Sequence, residues 1–399
     1  MGDGSIACPP DYVCTRECPA GQTCSPPSGG GGDGGPPGAR ASNDDDGGPT
    51  GAPVSEEGGS NPGSPSPDAA VPPASSSATA LAYDVVDAKM SAPLSSLVLV
   101  SDQPANALHL YNVSTGADEV IALLAAPKAV ALDLSGLHAA VAYDAHVSLI
   151  DLQARAVTTT CDTTCDASDV ALATTGIAYI TPAAGQMVPL HAVDLGACTE
   201  TISAPELWGG GHLSLHPSET VVYASLFADP PSIDRCDLTV SPPDCQDAMS
   251  AADWDMYGFA NAVWSSADGT RVYTGGPATL LVPPDPATGV CKYGGSLEGV
   301  TESITLSEAP SAGRVALILA SSQLQIPGYT ITPADTIVRV YETQYLSLVA
   351  QYAIPTESSA VEHGVFVFST PTMDALYVVA DEETPTGDPG RFSILTMIP

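Results

Sequence analysis

The chain has 399 residues, 44% of them hydrophobic, with 46 Asp and Glu against 11 Lys and Arg, a formal net charge of −35. Only 14% of residues are charged, so the acidity comes from scarce bases, three Lys and eight Arg, rather than from the wealth of carboxylates that marks a salt-adapted surface. Nucleic acid, polyphosphorylated substrates and anionic membranes are poor partners, because each needs clustered Lys and Arg, and no apolar run reaches the ~18 residues of a membrane helix.

The chain opens on Cys8, Cys14, Cys18 and Cys24, a symmetric C-x5-C-x3-C-x5-C set within residues 1–24. No C-x2-C pair or interleaved His suggests zinc. A segment this small needs staples to hold a fold, so two disulfides are expected among the four. "MGDGSIAC" carries neither a basic stretch nor an apolar one, so it is not a secretory leader. Pairing of Cys8 places any leader, and any lipid-bearing cysteine, upstream of it.

Residues 25–77 contain no Leu, Ile, Met, Phe, Tyr or Trp. Such a stretch cannot bury enough apolar surface to offset chain entropy and reads as a disordered Gly/Pro/Ser/Asp linker. As a flexible coil it would span roughly 40 Å. "NDDDGG" within it lacks the alternating ligands and terminal Glu of a calcium loop.

From residue 78 to 399 the texture changes to short β-branched runs separated by turns. A unit of apolar strand, polar turn and apolar strand recurs in "LDLSGLHAAVAYD", "LSLHPSETVVYASL", "AVWSSADGTRVYTGG" and "FVFSTPTMDALYVVAD". Third and fourth strands follow, as in "LHLYNVSTGADEVIALL". First strands begin near Asp84, Lys128, Ser168, Gly211, Ala260, Glu302 and His363. Seven units of about 46 residues are close to the ~40–45 of a propeller blade. The expected fold is all-β, a seven-bladed β-propeller of four-stranded antiparallel blades. The last unit lacks a fourth strand, which "TALAYDV" before the first unit can supply beside "RFSILTM".

Within this body Cys161–Cys165 and Cys236–Cys245 are expected to pair locally, leaving Cys198 and Cys291 without an assigned partner. Disulfides imply an oxidising compartment; a cytosolic protein with free thiols is the alternative. His212 and His216 flank an extended "L-S-L", where four residues span about 13 Å, too far to chelate one ion. Arg271, Arg314 and Arg339 lie in strands or their turns, where local pairing is the ordinary role. Asp102, Asp144, Asp229 and Asp381 stand where second strands end. Their loops would share one rim, an acidic ring fit for a hard cation such as calcium or for a basic patch of a partner; capping of turns is the plainer role for Asp there. Trp254, Tyr257 and Phe259 precede the fifth first strand and could line the same mouth.

The turn followed by x-x-h-Y-h, with D-x-x-T-G after the third strand, is carried here by "SADGTRVYTGG", "NVSTGADEVIAL" and "PPDPATG". It resembles the YVTN-type seven-bladed β-propeller repeat proteins of bacteria, over residues 81–399. The resemblance implies a secreted or surface-tethered, lipoprotein-like setting. Lactonases and quinone-linked dehydrogenases share this architecture, but the chain has no G-x-S-x-G elbow and no Cys beside a plausible base. No catalytic residue is assigned. The expected role is extracytoplasmic binding or scaffolding by a monomer, with an enzyme of the funnel or a purely structural surface protein as alternatives. Ligand and partner are not encoded in any motif.

Overall fold

A computed structural model describes residues 73, 75–204, 207–226, 232–250, 262–320, 336–355, 362–382 and 391–399. The expectations for Cys8, Cys14, Cys18 and Cys24, for most of the linker, and for Asp229, Trp254, Tyr257 and Phe259 lie outside these residues.

The described residues form antiparallel sheets that follow one another along the chain. β1 (Ser75–Ala80) is the exception to sequence order and is taken up last. β2 (Asp87–Ser91), β3 (Ser96–Ser101), β4 (Ala107–Asn112) and β5 (Asp118–Ala122) make the first meander. A six-stranded sheet follows, built of β6 (Ala129–Leu132), β7 (His138–Asp151), β8 (Ala156–Leu172), β9 (Ile177–Pro182), β10 (His191–Asp194) and β11 (Thr199–Ile202). Next come β12 (Leu213–Leu215), β13 (Val221–Leu226), β14 (Ser232–Asp237) and β15 (Asp244–Asp247). The fourth meander holds β16 (Val263–Ser265), β17 (Arg271–Thr274), β18 (Ala278–Leu281) and β19 (Lys292–Ser296). The fifth holds β20 (Ser303–Ala309), β21 (Arg314–Leu319), β22 (Ile337–Glu342) and β23 (Leu348–Ala353). β24 (Glu362–Ser369), β25 (Leu376–Glu382) and β26 (Arg391–Ile398) complete the series, and β1 adds to β26 as the fourth strand, with Ser75 opposite Ile398 and Ala80 opposite Ser393.

The expected seven separate four-stranded blades are therefore corrected to six sheets, five of four strands and one of six. All the expected first strands form, as β2, β6, the second half of β8, β12, β16, β20 and β24; their partition into sheets is what differs. β8 pairs with β7 through Ala156–Asp166 and with β9 through Ala167–Leu172, so the second and third units share one sheet. The physical reason lies in composition. "AVTTTCDTTCDASDVAL" contains neither Gly nor Pro, so nothing in β8 interrupts the strand. β7 itself doubles back where Ala145 takes φ 61°, and the Leu152 N–H reaches the Leu137 carbonyl at 3.0 Å.

Alternation along the second strands builds the core, because successive side chains of a strand face opposite sides. On β3, Leu97 and Leu99 pack with Tyr377, Val379 and Ile394 of the last sheet, while Val98 and Val100 pack with Val130 and Val141 of the next. β13 and β21 repeat the pattern: Val221 and Tyr223 face one way and Val222 and Ala224 the other, as do Val315 and Leu317 against Ala316 and Ile318. These strands are buried on both faces, which is why they read as unbroken apolar runs. Each Val, Leu or Ile so buried contributes ~1.5–3 kcal/mol relative to exposure.

The polar turns are set by their own side chains. Asn112 Oδ1 accepts the N–H groups of Ser114 and Thr115 at 3.1 and 3.0 Å, and Asp268 Oδ1 accepts that of Thr270 at 2.9 Å. Gly116 and Gly269 follow with φ of 70° and 71°, the left-handed conformation in which a Cβ is unfavourable. No helix among the described residues is long and apolar enough to cross a membrane.

Candidate functional site in the axial channel

The first strands of the units surround a channel of about 510 Å³. Asp87 and Lys89 on β2, Lys128 before β6, Asp169 on β8, His212 before β12 and Trp264 on β16 are in its wall, as are Thr305 on β20 and Phe366 and Phe368 on β24.

An inner strand exposes backbone N–H groups along its free edge, and these need acceptors. Here side chains of one strand supply them for the next. Asp87 Oδ2 accepts the Val130 N–H and Asp169 Oδ2 the Leu213 N–H, each at 2.8 Å. Ser214 Oγ accepts the Ser265 N–H at 2.8 Å, and Ser307 Oγ the Ser369 N–H at 2.9 Å. The other carboxylate oxygen of each Asp turns back on its own strand, Asp87 Oδ1 to the Ala88 N–H at 2.7 Å and Asp169 Oδ1 to the Val170 N–H at 2.8 Å.

A lysine and a histidine complete this wall. Lys89 Nζ lies 3.0 and 3.2 Å from the two oxygens of Asp87, and His212 Nδ1 lies 3.4 Å from Asp169 Oδ2. Desolvation in the channel works against the Lys89 ammonium, but the Asp87 and Asp169 carboxylates outweigh it and raise its pKa. For Asp169, desolvation is outweighed by the hydrogen bond and charge of His212, the Lys89 charge and the Leu213 N–H, which hold its carboxyl below the usual range. The hydrogen bond to Asp169 correspondingly raises His212.

Of the two histidines read from the sequence as too far apart to chelate one ion, His212 lines the channel and His216 does not. His216 is buried, with Nε2 2.8 Å from the Gly269 carbonyl and Nδ1 2.7 Å from Ser218 Oγ, so the two do not act together on a ligand. Arg271 donates to Thr279 Oγ1 and the Gly294 carbonyl, and Arg339 to the Gly299 carbonyl, the local pairing expected of them.

Of the four aspartates expected to form an acidic ring, three lie among the described residues, where second strands end. Asp102 follows β3, Asp144 is exposed and 3.2 Å from Lys128 Nζ, and Asp381 on β25 is opposite His363 of β24. Among the described residues no group of three or more His, Cys, Asp or Glu is arranged to hold a metal ion. Asp229 lies outside them.

The cysteines need one correction. Cys236 and Cys245, direct partners across β14 and β15, are disulfide-bonded as expected. Cys161 is bonded to Cys198 and not to Cys165. The reason is register. Cys161 sits opposite Val147 with its sulfur buried towards the β10–β11 turn, where Cys198 takes φ 50° and brings its Cα within 5.2 Å. Cys165 lies in the bulged stretch between Asp162 and Asp166, where Thr163 Oγ1 donates to its carbonyl. Burial, with Glu200 and Asp166 nearby, pushes its thiol up to about 11. Cys291 is a buried free thiol 3.8 Å from Tyr223 Oη.

A polar chain outside the channel was not foreseen. Ser101 Oγ lies 3.3 Å from His109 Nε2, and His109 Nδ1 lies 3.0 Å from Asp118 Oδ2, with Tyr83 stacked on the imidazole at 3.5 Å between ring centroids. The connectivity matches a nucleophile relay. Ser101, however, is fully buried and its hydroxyl also meets the Ala105 carbonyl at 3.1 Å, so it is not presented to a substrate. His146 with Asp162 at 3.0 Å and His191 with Glu200 at 2.7 Å repeat the pairing of a third strand with a fourth. The repetition marks these pairs as ties between strands. The signal for them, a His followed by a carboxylate across one polar turn, is present in the sequence three times.

No family model and no curated protein matches the chain. Solved structures do. The chain is similar to Kuenenia stuttgartiensis hydrazine synthase, with a TM-score of 0.50 and 13% identity over 76% of this chain and 96% of that one. It is also similar to the Myceliophteria thermophila Cps50 (Swd1) β-propeller domain, with a TM-score of 0.57 and 10% identity over 79% of this chain and 98% of that one. Identities this low speak to fold alone: the chain carries a β-propeller, and the YVTN-type resemblance gains no support from them.

Proposed function

We propose that this protein is an extracytoplasmic binding propeller that takes a small ligand in its axial channel. The observation that carries the reading is the wall itself. In about 510 Å³, Lys89 and His212 stand with Trp264, Phe366 and Phe368, the mixture of apolar surface and a few placed polar groups typical of ligand pockets. The disulfides Cys161–Cys198 and Cys236–Cys245 support an extracytoplasmic setting.

Ile304 is 45% exposed and lines the channel, so a larger side chain there fills space without crowding the core. Titration of the full chain with Nile red, a neutral apolar dye, should show saturable fluorescence, and Ile304→Trp should weaken it about tenfold. Saturable binding that ignores Ile304→Trp would place the dye elsewhere and remove the channel as the site.

A further inference from the structure

Lysine is the scarcest charged residue here. The chain has three, Lys89, Lys128 and Lys292, and two of them line the channel. Arg155, Arg235, Arg271 and Arg339 are committed away from the channel. Arg155 pairs with Glu119, Arg235 donates to the Ala287 carbonyl and Gln246, and Arg271 and Arg339 bond as above. A protein of charge −35 thus keeps two of its three lysines at the channel, one on β2 and one just before β6.

The carboxylates beside them are already occupied. Asp87 receives the Ala88 and Val130 N–H groups and the Lys89 ammonium, and Asp169 receives Val170, Leu213 and His212. An ammonium has three donors. Lys89 commits two to Asp87, and Lys128 makes one ion pair, with Asp144 at 3.2 Å. One donor of Lys89 and two of Lys128 are therefore left to offer a ligand. Trp264, Phe366, Phe368 and Met90 offer it an apolar face. Each ammonium is balanced at contact distance, Lys89 by Asp87 and Lys128 by Asp144, so the wall offers a ligand its remaining N–H donors and not an excess of positive charge, while carboxylates beyond a Debye length of about 8 Å are largely screened at physiological salt.

We propose that the channel binds a small organic anion, a carboxylate or sulfonate on an apolar body, through the ammonium groups of Lys89 and Lys128. This rests on the channel being the binding site. The anionic group sits against the two ammonium groups and the body lies along the aromatic face.

The probe is 8-anilinonaphthalene-1-sulfonate, an aromatic sulfonate, titrated beside neutral Nile red into the full chain. Lys89→Met with Lys128→Met should raise the sulfonate's Kd at least tenfold and leave that of Nile red within twofold. Lys128→Met alone, at a half-exposed residue, should raise it several-fold without disturbing the fold, and Lys89→Arg should keep it near wild type. Lys292→Met removes the same charge outside the channel and should change nothing. Sulfonate binding that survives the double substitution while Nile red still binds would overturn the anion assignment alone. Equal loss in Lys292→Met would reduce the effect to net charge and overturn it too. Failure of both dyes to bind wild type would overturn it together with the channel as a site.

Discussion

Asp87 reaches across a sheet boundary to Val130: its Oδ2 accepts the Val130 N–H at 2.8 Å while its other oxygen holds Ala88 and both face Lys89. One side chain thus closes an edge of the neighbouring sheet, shapes its own strand and anchors a channel cation. Removing it leaves a backbone donor and an ammonium without their acceptor, a loss larger than one hydrogen bond. Asp87→Ala should destabilise the fold by about 2–4 kcal/mol, and Asp87→Asn, which retains an acceptor oxygen, by about half as much. Urea unfolding followed by tryptophan fluorescence measures both; equal stability of Asp87→Ala and wild type would show that the contact is incidental.

The Asp169–His212 pair gives a pH dependence whose two limbs have opposite causes. His212 has a folded pKa raised above 6.5, so its contribution is fully present below that value and fades as pH rises through the folded pKa. Asp169 has a folded pKa below 3.8, so its contribution is present above that value and is lost as pH falls through the folded pKa. The Tm difference between wild type and His212→Gln should therefore be larger at pH 5.5 than at pH 8.5. His212 is 56% exposed, and solvent screening keeps the effect to a few degrees at most. A difference that grows with pH would contradict the pairing.

The two disulfides close loops of different length. Cys161–Cys198 spans a separation of 37 residues and Cys236–Cys245 one of 9. Chain-entropy arguments assign them about 3–4 and about 2.5 kcal/mol respectively. Cys198→Ser should cost the most stability, Cys245→Ser less, and Cys165→Ser close to none. Peptide mapping of unreduced protein should find residues 161 and 198 on linked peptides, and recovery of a 161–165 link would reverse the correction made above.

Gly269 and Gly176 separate two costs that are usually confounded. Both have positive φ, 71° and 83°, but a Cβ on Gly269 would lie 2.6 Å from His216 Nε2, whereas one on Gly176 meets nothing within 4 Å. Gly176→Ala should cost about 1 kcal/mol, the backbone preference alone. Gly269→Ala should cost at least 1 kcal/mol more, because the imidazole it strikes is buried and bonded at both nitrogens. Thermal melts of the two variants compare them directly.

The meander was legible because its turns are chemically explicit: Asn112 before Gly116 and Asp268 before Gly269 announce a reversal whatever surrounds them. The closure of β26 was legible from a missing strand at one end and a spare one at the other, but the strand that closes it, Ser75–Ala80, begins four residues before the expected "TALAYDV" and takes in the last three residues assigned to the linker. The merging of two units through β8 was not foreseen, since it shows only as an absence of Gly and Pro in a stretch whose pattern otherwise resembles its neighbours. The channel wall was hidden for another reason. Asp87 and Asp169 look like residues at the start of a strand, and only the neighbouring strand, 43 or 44 residues further on, makes them acceptors. Cys161 failed in the same way: nearness in sequence favoured Cys165, and the partner was set by a turn across the sheet.

Among the described strands β1 is synthesised first and pairs with the one made last. Until Arg391–Ile398 is complete, a growing chain carries an open sheet edge at each end of its array, and such edges are templates for pairing between molecules. Joining them requires closing nearly the whole described chain into a loop, the slowest kind of contact to form. The longer that half-made state lasts, the longer its edges stand open to association during synthesis.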